Sequence, residues 1–233
     1  MFSLDIFHKK YKTDSTEVKI RNRPFSFFIP RELEPFLDQN DVFHNFPLWA
    51  KIWEPSVVLA DHLSSLEPRP GKNLLEVGCG LGLVGIVAAS FGHRVTMTEQ
   101  DPDALNFARA NALANLSPSD PPIEIRRLDW NRPDLDRTFD RIVASEIIYS
   151  EKDYEPLFGL FKALLKPGGE IILAEGFRES SFNFFKEMSG HFEMKAQKKI
   201  IRTPEKEIRI ILCCMKFKEQ SSSSESSTVN REP

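Results

Sequence analysis

The sequence predicts a protein of the α/β class, built on an open sheet of seven strands with helices on both of its faces. Apolar, strand-like runs alternate with helical patterns from residue 73 onward, which is typical of parallel βαβ units. A glycine-rich turn links the first of these strands to its helix. The last two strand-like segments are separated by only a short turn, so we expect an antiparallel hairpin at the end of a mostly parallel sheet.

The composition indicates one globular domain. The chain has 233 residues, of which 41% are apolar and 28% are charged, and its formal net charge is −3. This length is sufficient to bury a single core, and the small negative charge argues against a protein that coats nucleic acid or a membrane. Cys79, Cys213 and Cys214 cannot form a disulfide framework and lack the spacing of a zinc site, so a reducing compartment fits best.

Neither a signal peptide nor a membrane-spanning helix is predicted. The first residues include Asp5 and lack a basic region followed by an apolar run. No stretch of about 18 apolar residues is uninterrupted. The five histidines show no ligand spacing, so no metal site is expected. We therefore expect a monomeric, cytoplasmic protein.

The chain divides into three predicted parts. Residues 1–46 form an aromatic, irregular extension with short strands, one of them at residues 24–30 between two prolines. Residues 47–218 form the main domain, and a helix is expected to begin near Leu48 because apolar residues then recur at helical spacing. Residues 219–233 are serine-rich and nearly free of apolar side chains, so they are expected to form a disordered tail.

The elements of the main domain follow from the alternating pattern. Each helix has its own boundary signals: Gly92 ends the first helix of the alternating region, Asp101 and Pro102 begin the second, and residues 166–169 end the third. The predicted helices are 81–92, 104–116 and 154–165. The predicted strands are 73–77, 94–98, 123–128, 139–145 and 170–175, followed by the hairpin segments 191–201 and 206–217.

The glycine-rich turn predicts a nucleotide-like ligand. Gly80 to Gly85 reads G-x-G-x-x-G, and Glu99 follows about 20 residues later, as in a dinucleotide fingerprint. However, Glu76 directly precedes the glycines and the turn has no Lys or Arg, although a pyrophosphate requires a positive environment. A cofactor with cationic groups, such as S-adenosylmethionine, fits better. The alternative is that Glu76 only caps a neighbouring loop.

Acidic residues lie at the ends of four successive predicted strands: Glu76 at the tip of the first, and Glu99, Asp129 and Glu146 directly after the next three. Ligands of open α/β sheets bind at the carboxyl ends of the strands, so these side chains are candidates for contacts with the cofactor. Glu99 is expected to accept both ribose hydroxyls, because one carboxylate matches two donors. Asp129 is expected to accept from the adenine amine, with Trp130 as an apolar wall.

Together these motifs resemble the Rossmann-like, seven-strand S-adenosylmethionine-dependent methyltransferases over roughly residues 40–217. The matching segments are the glycine-rich E-V-G-C-G-L-G, the second-strand acid of VTMTE, and the turn LLKPGGE before the fifth strand. The closing hairpin fits the antiparallel seventh strand of that superfamily. The resemblance implies a methyltransferase with S-adenosylmethionine as its cofactor.

A narrower resemblance is to the family-16 protein-lysine methyltransferases, through LWAKIWEPSVVLA, the LDW step and EIIY. Members methylate lysines on other proteins, so the implied partner is a protein that presents a lysine. The resemblance implies that Glu146 and Tyr149 face the substrate amine, although the family usually has Asp in the first of these positions and often at position 99. The implied cofactor-binding residues are Trp53, Glu76, Gly78, Cys79, Gly80, Gly82, Glu99, Asp129, Trp130 and Ser145.

Three other functions compete with this interpretation. A base-methylating enzyme would show an N/D-P-P-Y/F tetrad where residues 145–149 read SEIIY, so nucleic acid is disfavoured, whereas a small amine remains open. A non-catalytic interaction module that retains the fold is also compatible with the motifs. A nicotinamide dehydrogenase is disfavoured by the charge of the glycine-rich turn. The basic residues of 192–218 are best explained as charged edge strands that prevent sheet-to-sheet pairing.

Overall fold

The computed structural model describes residues 2–37, 46–202 and 206–219 of the chain. The helices of this part are α1 (Leu4–Lys10), α2 (Glu54–Ser64), α3 (Leu83–Ser90), α4 (Pro102–Asn115), α5 (Tyr154–Leu164) and α6 (Glu179–Met188). The strands are β1 (Thr13–Ile20), β2 (Arg23–Pro30), β3 (Asn73–Val77), β4 (Arg94–Glu99), β5 (Glu124–Arg127), β6 (Phe139–Ser145), β7 (Leu165–Gly176), β8 (Phe192–Arg202) and β9 (Glu207–Phe217). No helix in these ranges is long and apolar enough to cross a membrane.

A seven-stranded sheet forms the centre of the molecule, with the strand order β5-β4-β3-β6-β7-β9-β8. Strands β3 to β7 pair in parallel, whereas β9 is antiparallel to both β7 and β8. The predicted mixed sheet is therefore confirmed. The chain passes from β3 outward to β4 and β5, and then returns to β6 on the other side of β3. This reversal creates a crevice at the carboxyl ends of β3 and β6.

Helices cover both faces of the sheet, so neighbouring residues of one strand pack against different helices. On β3, Leu74 belongs to a core with helices α2, α3 and α4, whereas Leu75 and Val77 belong to a core with α5 and α6. Successive side chains of a strand point to opposite faces. A strand covered on both faces has apolar side chains on both, which explains why the central strands read as continuous apolar runs.

The caps predicted for the second helix of the alternating region are present at the start of α4. The Asp101 carboxylate accepts hydrogen bonds from the backbone N–H groups of Asp103, at 2.7 Å, and Ala104, at 3.0 Å. Pro102 occupies the first turn, where a missing N–H costs nothing. This cap fixes the direction of the chain directly after Glu99, the last residue of β4.

The helix expected near Leu48 begins later, at Glu54, and residues 48–50 form a single 3₁₀ turn instead. Pro55 explains the difference. A helix running from Leu48 through Pro55 would place the proline ring against the carbonyl of Lys51 and lose a hydrogen bond, whereas a proline in the first turn is tolerated. Trp53 therefore lies at the amino-terminal cap of α2 and not within a helix.

The amino-terminal extension is more regular than the sequence indicated. The predicted strand at 24–30 is confirmed as β2, and it pairs with β1, which was not predicted because its residues are mostly polar. The hairpin packs on α4 through two asparagines. The backbone N–H of Phe28 donates to Asn111 at 2.7 Å, and that of Ser26 donates to Asn115 at 2.9 Å. Asn111 also donates to the carbonyl of Leu81, so it connects the extension to the glycine-rich turn.

The carboxyl-terminal half confirms the predicted hairpin and adds one helix. Strands β8 and β9 pair in continuous register from Phe192 opposite Phe217 to Arg202 opposite Glu207. Helix α6 was not predicted, and β7 begins earlier than expected, with an irregularity in its pairing with β6. The predicted hairpin turn at 202–205, apart from Arg202, and the predicted tail at 219–233, apart from Glu219, lie outside the described residues.

Candidate active site

A cavity lies at the carboxyl ends of β3, β4 and β6, where the strand order reverses. Ten of the predicted site residues line it, and two do not: Gly82 and Asp129. The predicted residues in its wall are Trp53, Glu76, Gly78, Cys79, Gly80, Glu99, Trp130, Ser145, Glu146 and Tyr149. Residues that the sequence analysis did not assign also line it: Phe46, Leu48, Trp49, Lys51, Ile52, Ser56, Leu81, Leu83, Val84 and Ile147.

The glycine turn (residues 78–82) leaves space on the cavity side. A Cβ atom on Gly78 would lie 3.1 Å from Cγ2 of Ile147 and 3.6 Å from the ring of Trp130. Gly80 has a φ of +51°, and a Cβ atom there would lie 3.4 Å from the carbonyl oxygen of Trp49. Side chains at these positions would fill the cavity wall, so the two glycines permit close approach of a ligand to the backbone.

Gly82 has a different role from the one expected. A Cβ atom on Gly82 would lie 2.7 Å from Cε of Met97, which points from β4 into the core. The φ of Gly82 is +87°, and this residue caps the amino terminus of α3. Gly82 therefore allows α3 to pack closely on the sheet and does not face the cavity.

Glu76 lines the cavity and has one buried carboxylate oxygen without a partner among the described residues. The residue is 2% exposed, and its Oε2 atom has no hydrogen-bond partner among the described residues. Burial raises the pKa of Glu76 to about 8, and the nearby Glu99 raises it further, whereas the backbone of Gly85 opposes the rise. Because buried polar atoms are almost always paired, an unpaired carboxylate oxygen at a cavity indicates a place for a donor on a ligand, best a cationic one.

Glu99 connects the end of β4 to the glycine turn. Its Oε2 atom accepts a hydrogen bond from the backbone N–H of Gly80 at 3.0 Å, and its Oε1 atom accepts from the N–H groups of Gln100, at 2.7 Å, and Asp101, at 3.3 Å. Burial raises the pKa of Glu99, and these backbone donors oppose the rise. Because Oε1 already accepts twice and Oε2 only once, Oε2 keeps a free lone pair.

Asp129, for which a contact with an adenine amine was expected, is not among the residues that line the cavity. Its Oδ1 atom accepts from the backbone N–H of Asn131 at 2.9 Å and from the Asn131 side chain at 3.0 Å. These hydrogen bonds lower the pKa of Asp129. The carboxylate closes a local turn, and its neighbour Trp130 turns into the cavity.

Residues 46–53 form the wall opposite the strand ends. The indole Nε1 of Trp53 donates to the carbonyl of Leu48 at 2.7 Å, which closes this segment on itself. The ammonium of Lys51 lies 4.7 Å from the ring centroid of Trp53. The motif LWAKIW contains most of the unassigned residues of this wall, so its pattern of apolar residues could have indicated more than Trp53 alone.

A carboxylate–arginine cluster, formed by Glu146, Glu175 and Arg178, borders the cavity at the ends of β6 and β7. Arg178 bridges the two acids: its Nη1 atom is 2.7 Å from Oε2 of Glu146, and its Nη2 atom donates to Oε2 of Glu175 at 3.1 Å. The other oxygen of Glu146 accepts from the backbone N–H of Gly176 at 2.5 Å, and that of Glu175 accepts from Ile147 at 3.0 Å. Every carboxylate oxygen of the cluster therefore has a donor.

Two features of this cluster are unusual for a purely structural ion pair. Glu146 has a φ of +53°, a left-handed conformation that costs a side-chain-bearing residue about 1 kcal/mol or more. Glu175 is fully buried, and burial together with the charge of Glu146 raises its pKa to about 8. The sequence analysis missed Glu175 and Arg178, although Glu175 is a fifth acid near the end of a parallel strand.

Tyr149 lies at the outer edge of the cavity, beside this cluster. Its side chain is among the exposed large apolar ones, at 45%, and the guanidinium carbon of Arg178 lies 5.5 Å from its ring centroid. The structure thus brings Glu146 and Tyr149 together, as predicted, but with an arginine beside both. Within the described ranges, no group of His, Cys, Asp and Glu side chains could hold a metal ion.

Comparison with known structures supports the fold. A 16S rRNA N2 G1207 methyltransferase from T. thermophilus, in complex with AdoMet and guanosine, superposes with a TM-score of 0.59 at 17% identity, over 86% of this chain and 50% of that one. A TYW2 structure from P. horikoshii, in complex with MeSAdo, gives a TM-score of 0.58 at 15% identity, over 88% and 72% of the two chains. At such low identity these matches concern the fold alone.

Comparison of sequences is more specific. The chain is 34% identical to the mouse protein N-lysine methyltransferase METTL21A over 169 residues, which cover 69% of this chain and 75% of the relative. It is 26% identical to the Xenopus tropicalis EEF1A lysine methyltransferase 3 over 171 residues, or 71% and 75% of the two chains. The sequence profile of a family described as lysine methyltransferase matches residues 40–191. The chain therefore belongs to the lysine methyltransferase family.

Proposed function

We propose that the cavity binds S-adenosylmethionine and that the protein transfers a methyl group from it to a lysine side chain of another protein. The main support is Glu76, a carboxyl group of the cavity lining whose Oε2 atom is buried without a hydrogen-bond partner among the described residues. The ionisable side chains of that wall include three acids, Glu76, Glu99 and Glu146, against one cation, Lys51. This balance suits a ligand with ammonium and sulfonium groups, and it disfavours the pyrophosphate of a nicotinamide cofactor.

The proposed cofactor contacts follow from the hydrogen-bond acceptors and apolar side chains that line the cavity. The carboxylate of Glu76 would accept from the ammonium group of the cofactor, and Oε2 of Glu99 would accept from one ribose hydroxyl. Ile147 and Trp130, the side chains nearest to where a Cβ atom of Gly78 would lie, would provide an apolar wall for the adenine. Trp53 would cover the cofactor from the side of residues 46–53.

The acceptor lysine would enter beside Glu146 and Tyr149. S-adenosylmethionine supplies, when bound, a methyl group on a sulfonium that is already activated for displacement. The protein therefore contributes mainly alignment and the exclusion of water. A lysine must lose its proton before its nitrogen can form a bond, and withdrawal of its side chain from water would disfavour the charged form. Glu146 would orient the amine, and Tyr149 would form one side of the entrance.

The proposed substrate class is consistent with the names of the relatives. The three cysteines are unpaired thiols, which suits the cytosol. Because one relative is named for EEF1A, that protein is the first candidate to assay as a substrate.

Calorimetry with S-adenosylmethionine and with NAD tests the cofactor assignment. We expect binding of the first and none of the second. Gly80→Val should abolish binding, because a branched side chain at a φ of +51° is strained and extends toward Trp49. Gly159→Ala is the matched control, since a Cβ atom at that helical glycine contacts nothing within 4 Å. Binding of NAD without any binding of S-adenosylmethionine would contradict the proposal.

A further inference from the structure

Arg178 has no part in the cofactor contacts proposed above, yet it is the cation that lies closest to the proposed acceptor site. Its guanidinium contacts Glu146 and Glu175 at 2.7 and 3.1 Å and lies 5.5 Å from the ring centroid of Tyr149. Its Nε atom is buried without a hydrogen-bond partner among the described residues. An arginine placed only for stability would not be expected to leave this donor unpaired.

Arg178 could act in two ways. It could occupy the place of the substrate ammonium and leave when the lysine arrives, or it could stay and hold Glu146. The burial of Glu175 decides between them. Glu175 has no exposed surface, and Arg178 is the cation that pairs with it. Departure of Arg178 would leave Oε2 of Glu175, an atom without access to water, with no hydrogen-bond donor, and an unsatisfied buried polar group is costly whether the acid is charged or protonated. Arg178 therefore stays.

An arginine that stays restricts Glu146. Oε1 of Glu146 is held by the N–H of Gly176, and Oε2 by Arg178, while its own N–H donates to the carbonyl of Ala174 at 3.0 Å. Together these contacts maintain the left-handed backbone at φ +53°. Each carboxylate oxygen of Glu146 has a second lone pair, so the held side chain can still accept a hydrogen bond from an amine.

We infer that Arg178 is a positioning residue for methyl transfer: by bridging Glu175 and Glu146, it fixes the orientation in which the Glu146 carboxylate receives the acceptor amine. This inference rests on the proposed function. The bridge requires a guanidinium, because its planar fork presents two N–H donors to two carboxylates at once, whereas a lysine ammonium is a compact point charge.

The test compares Arg178→Met and Arg178→Lys with Arg141→Met. Arg141 forms a similar partly buried ion pair with Glu170 across β6 and β7, but at the opposite end of the strands, so it controls for the loss of an ion pair. The substrate is the protein band of a heated extract that the wild type labels from tritiated S-adenosylmethionine. The readouts are the cofactor Kd, the labelling rate as a function of pH, and hydrogen exchange of residues 145–150.

We expect Arg178→Met to keep its cofactor Kd within about twofold and to label about 10- to 100-fold more slowly, the loss typical of a misaligned reacting group. Arg178→Lys should regain part of the rate, and Arg141→Met should label normally. Without the guanidinium, Glu175 would lose the cation that lowers its pKa, so its pKa should rise and the acid limb of the rate profile should move to higher pH. Residues 145–150 should exchange faster, because Glu175 would hold the N–H of Ile147 less firmly.

Two results would overturn the inference. The first is an Arg178→Met protein that labels like the wild type with an unchanged pH profile. The second is a loss of labelling that is matched by an equal loss of cofactor binding in both Arg178 variants, since this would indicate a structural role. A wild type that binds the cofactor but labels no protein would instead contradict the proposed function, so the two failures are distinguishable.

Discussion

Gly85 in α3 and Glu76 in β3 share one space beneath the cavity: a Cβ atom on Gly85 would lie 2.5 Å from Oε2 of Glu76. The same Cβ atom would also collide with the side chain of Met97. The helix can therefore approach the strand only because residue 85 lacks a side chain. The position of the unpaired carboxylate oxygen thus depends on a glycine outside the cavity wall.

Gly85→Ala should displace Glu76 and weaken cofactor binding. Overpacking of this kind typically costs about 1–3 kcal/mol of folding stability, so we also expect the Tm to fall by several degrees. Gly159→Ala is the control, because its new methyl group meets nothing within 4 Å and an alanine favours the helix. Thermal unfolding and calorimetry measure both effects. Unchanged cofactor affinity in Gly85→Ala would show that Glu76 does not contact the ligand.

Cofactor binding should release a proton near neutral pH. The pKa of Glu76 is raised to about 8, so much of this residue is protonated in the free protein at pH 7. A cationic ligand at Oε2 favours the carboxylate and lowers its pKa. The affinity should therefore rise as the pH approaches about 8 from below. Calorimetry at pH 7 in two buffers of different ionisation enthalpy measures the protons released, and Glu76→Gln should abolish the release. Binding without proton release in the wild type would contradict this prediction.

The stability of the free protein should decrease as the pH rises from about 4.5 to about 8. Glu76 and Glu175 both have a pKa of about 8 when folded, so over this range the folded state binds more protons than the unfolded state. Stability falls with pH wherever the folded state holds the extra protons. Denaturant titrations of the wild type and of Glu76→Gln measure the slope, which should be smaller in the variant. An equal slope in the two proteins would show that Glu76 titrates normally.

Glu99 and Asp129 should differ in their effect on the cofactor. Glu99→Ala removes an acceptor in the cavity wall and releases the N–H of Gly80, so we expect a loss of affinity of about 2 kcal/mol. Asp129→Ala should change the affinity by less than about twofold, because its carboxylate faces Asn131 and not the cavity. The Kd of each variant for S-adenosylmethionine, compared with that of the wild type, measures the two effects. The opposite ranking would restore the adenine contact first expected for Asp129.

Glu146→Ala and Tyr149→Phe should slow methyl transfer and leave cofactor binding nearly unchanged. In a reaction limited by alignment, a displacement of about 1 Å can reduce the rate by about a hundredfold, and we expect losses up to that size. Glu146→Asp should be more active than Glu146→Ala, because a carboxylate remains near Arg178. Rates at saturating cofactor separate the two effects. A loss of affinity in proportion to the rate would place Glu146 in the cofactor site instead.

The strands were the most predictable part of the fold. The run at residues 139–145 was predicted with its observed bounds, because it is apolar, fully covered and bounded by turn residues. The predicted start of α2 was wrong because the helix was extended on the amino-terminal side of Pro55. The backbone restriction of proline overrides the helical spacing of the apolar residues there. Strand β1 was missed because its side chains are mainly polar, and it is recognisable only by its pairing with β2.

The site was less predictable than the fold, because strand-end position does not specify where a side chain points. Glu99 and Asp129 both follow strands, yet Asp129 closes a turn on the surface. Gly80 and Gly82 both belong to one motif, but the second packs on Met97. Arg178 could not be assigned to the site from sequence spacing, because it meets Glu146 only through the pairing of β6 with β7.

The most direct test of the central claim is to identify the methylated amino acid. Purified protein is incubated with tritiated S-adenosylmethionine and either EEF1A or a heated extract, and the labelled protein is then hydrolysed to its amino acids. We predict that the label is recovered as methylated lysine, and that Glu146→Ala reduces it strongly while still binding the cofactor. Label recovered in small molecules, in nucleic acid or in a different amino acid would contradict the assignment of a protein-lysine methyltransferase.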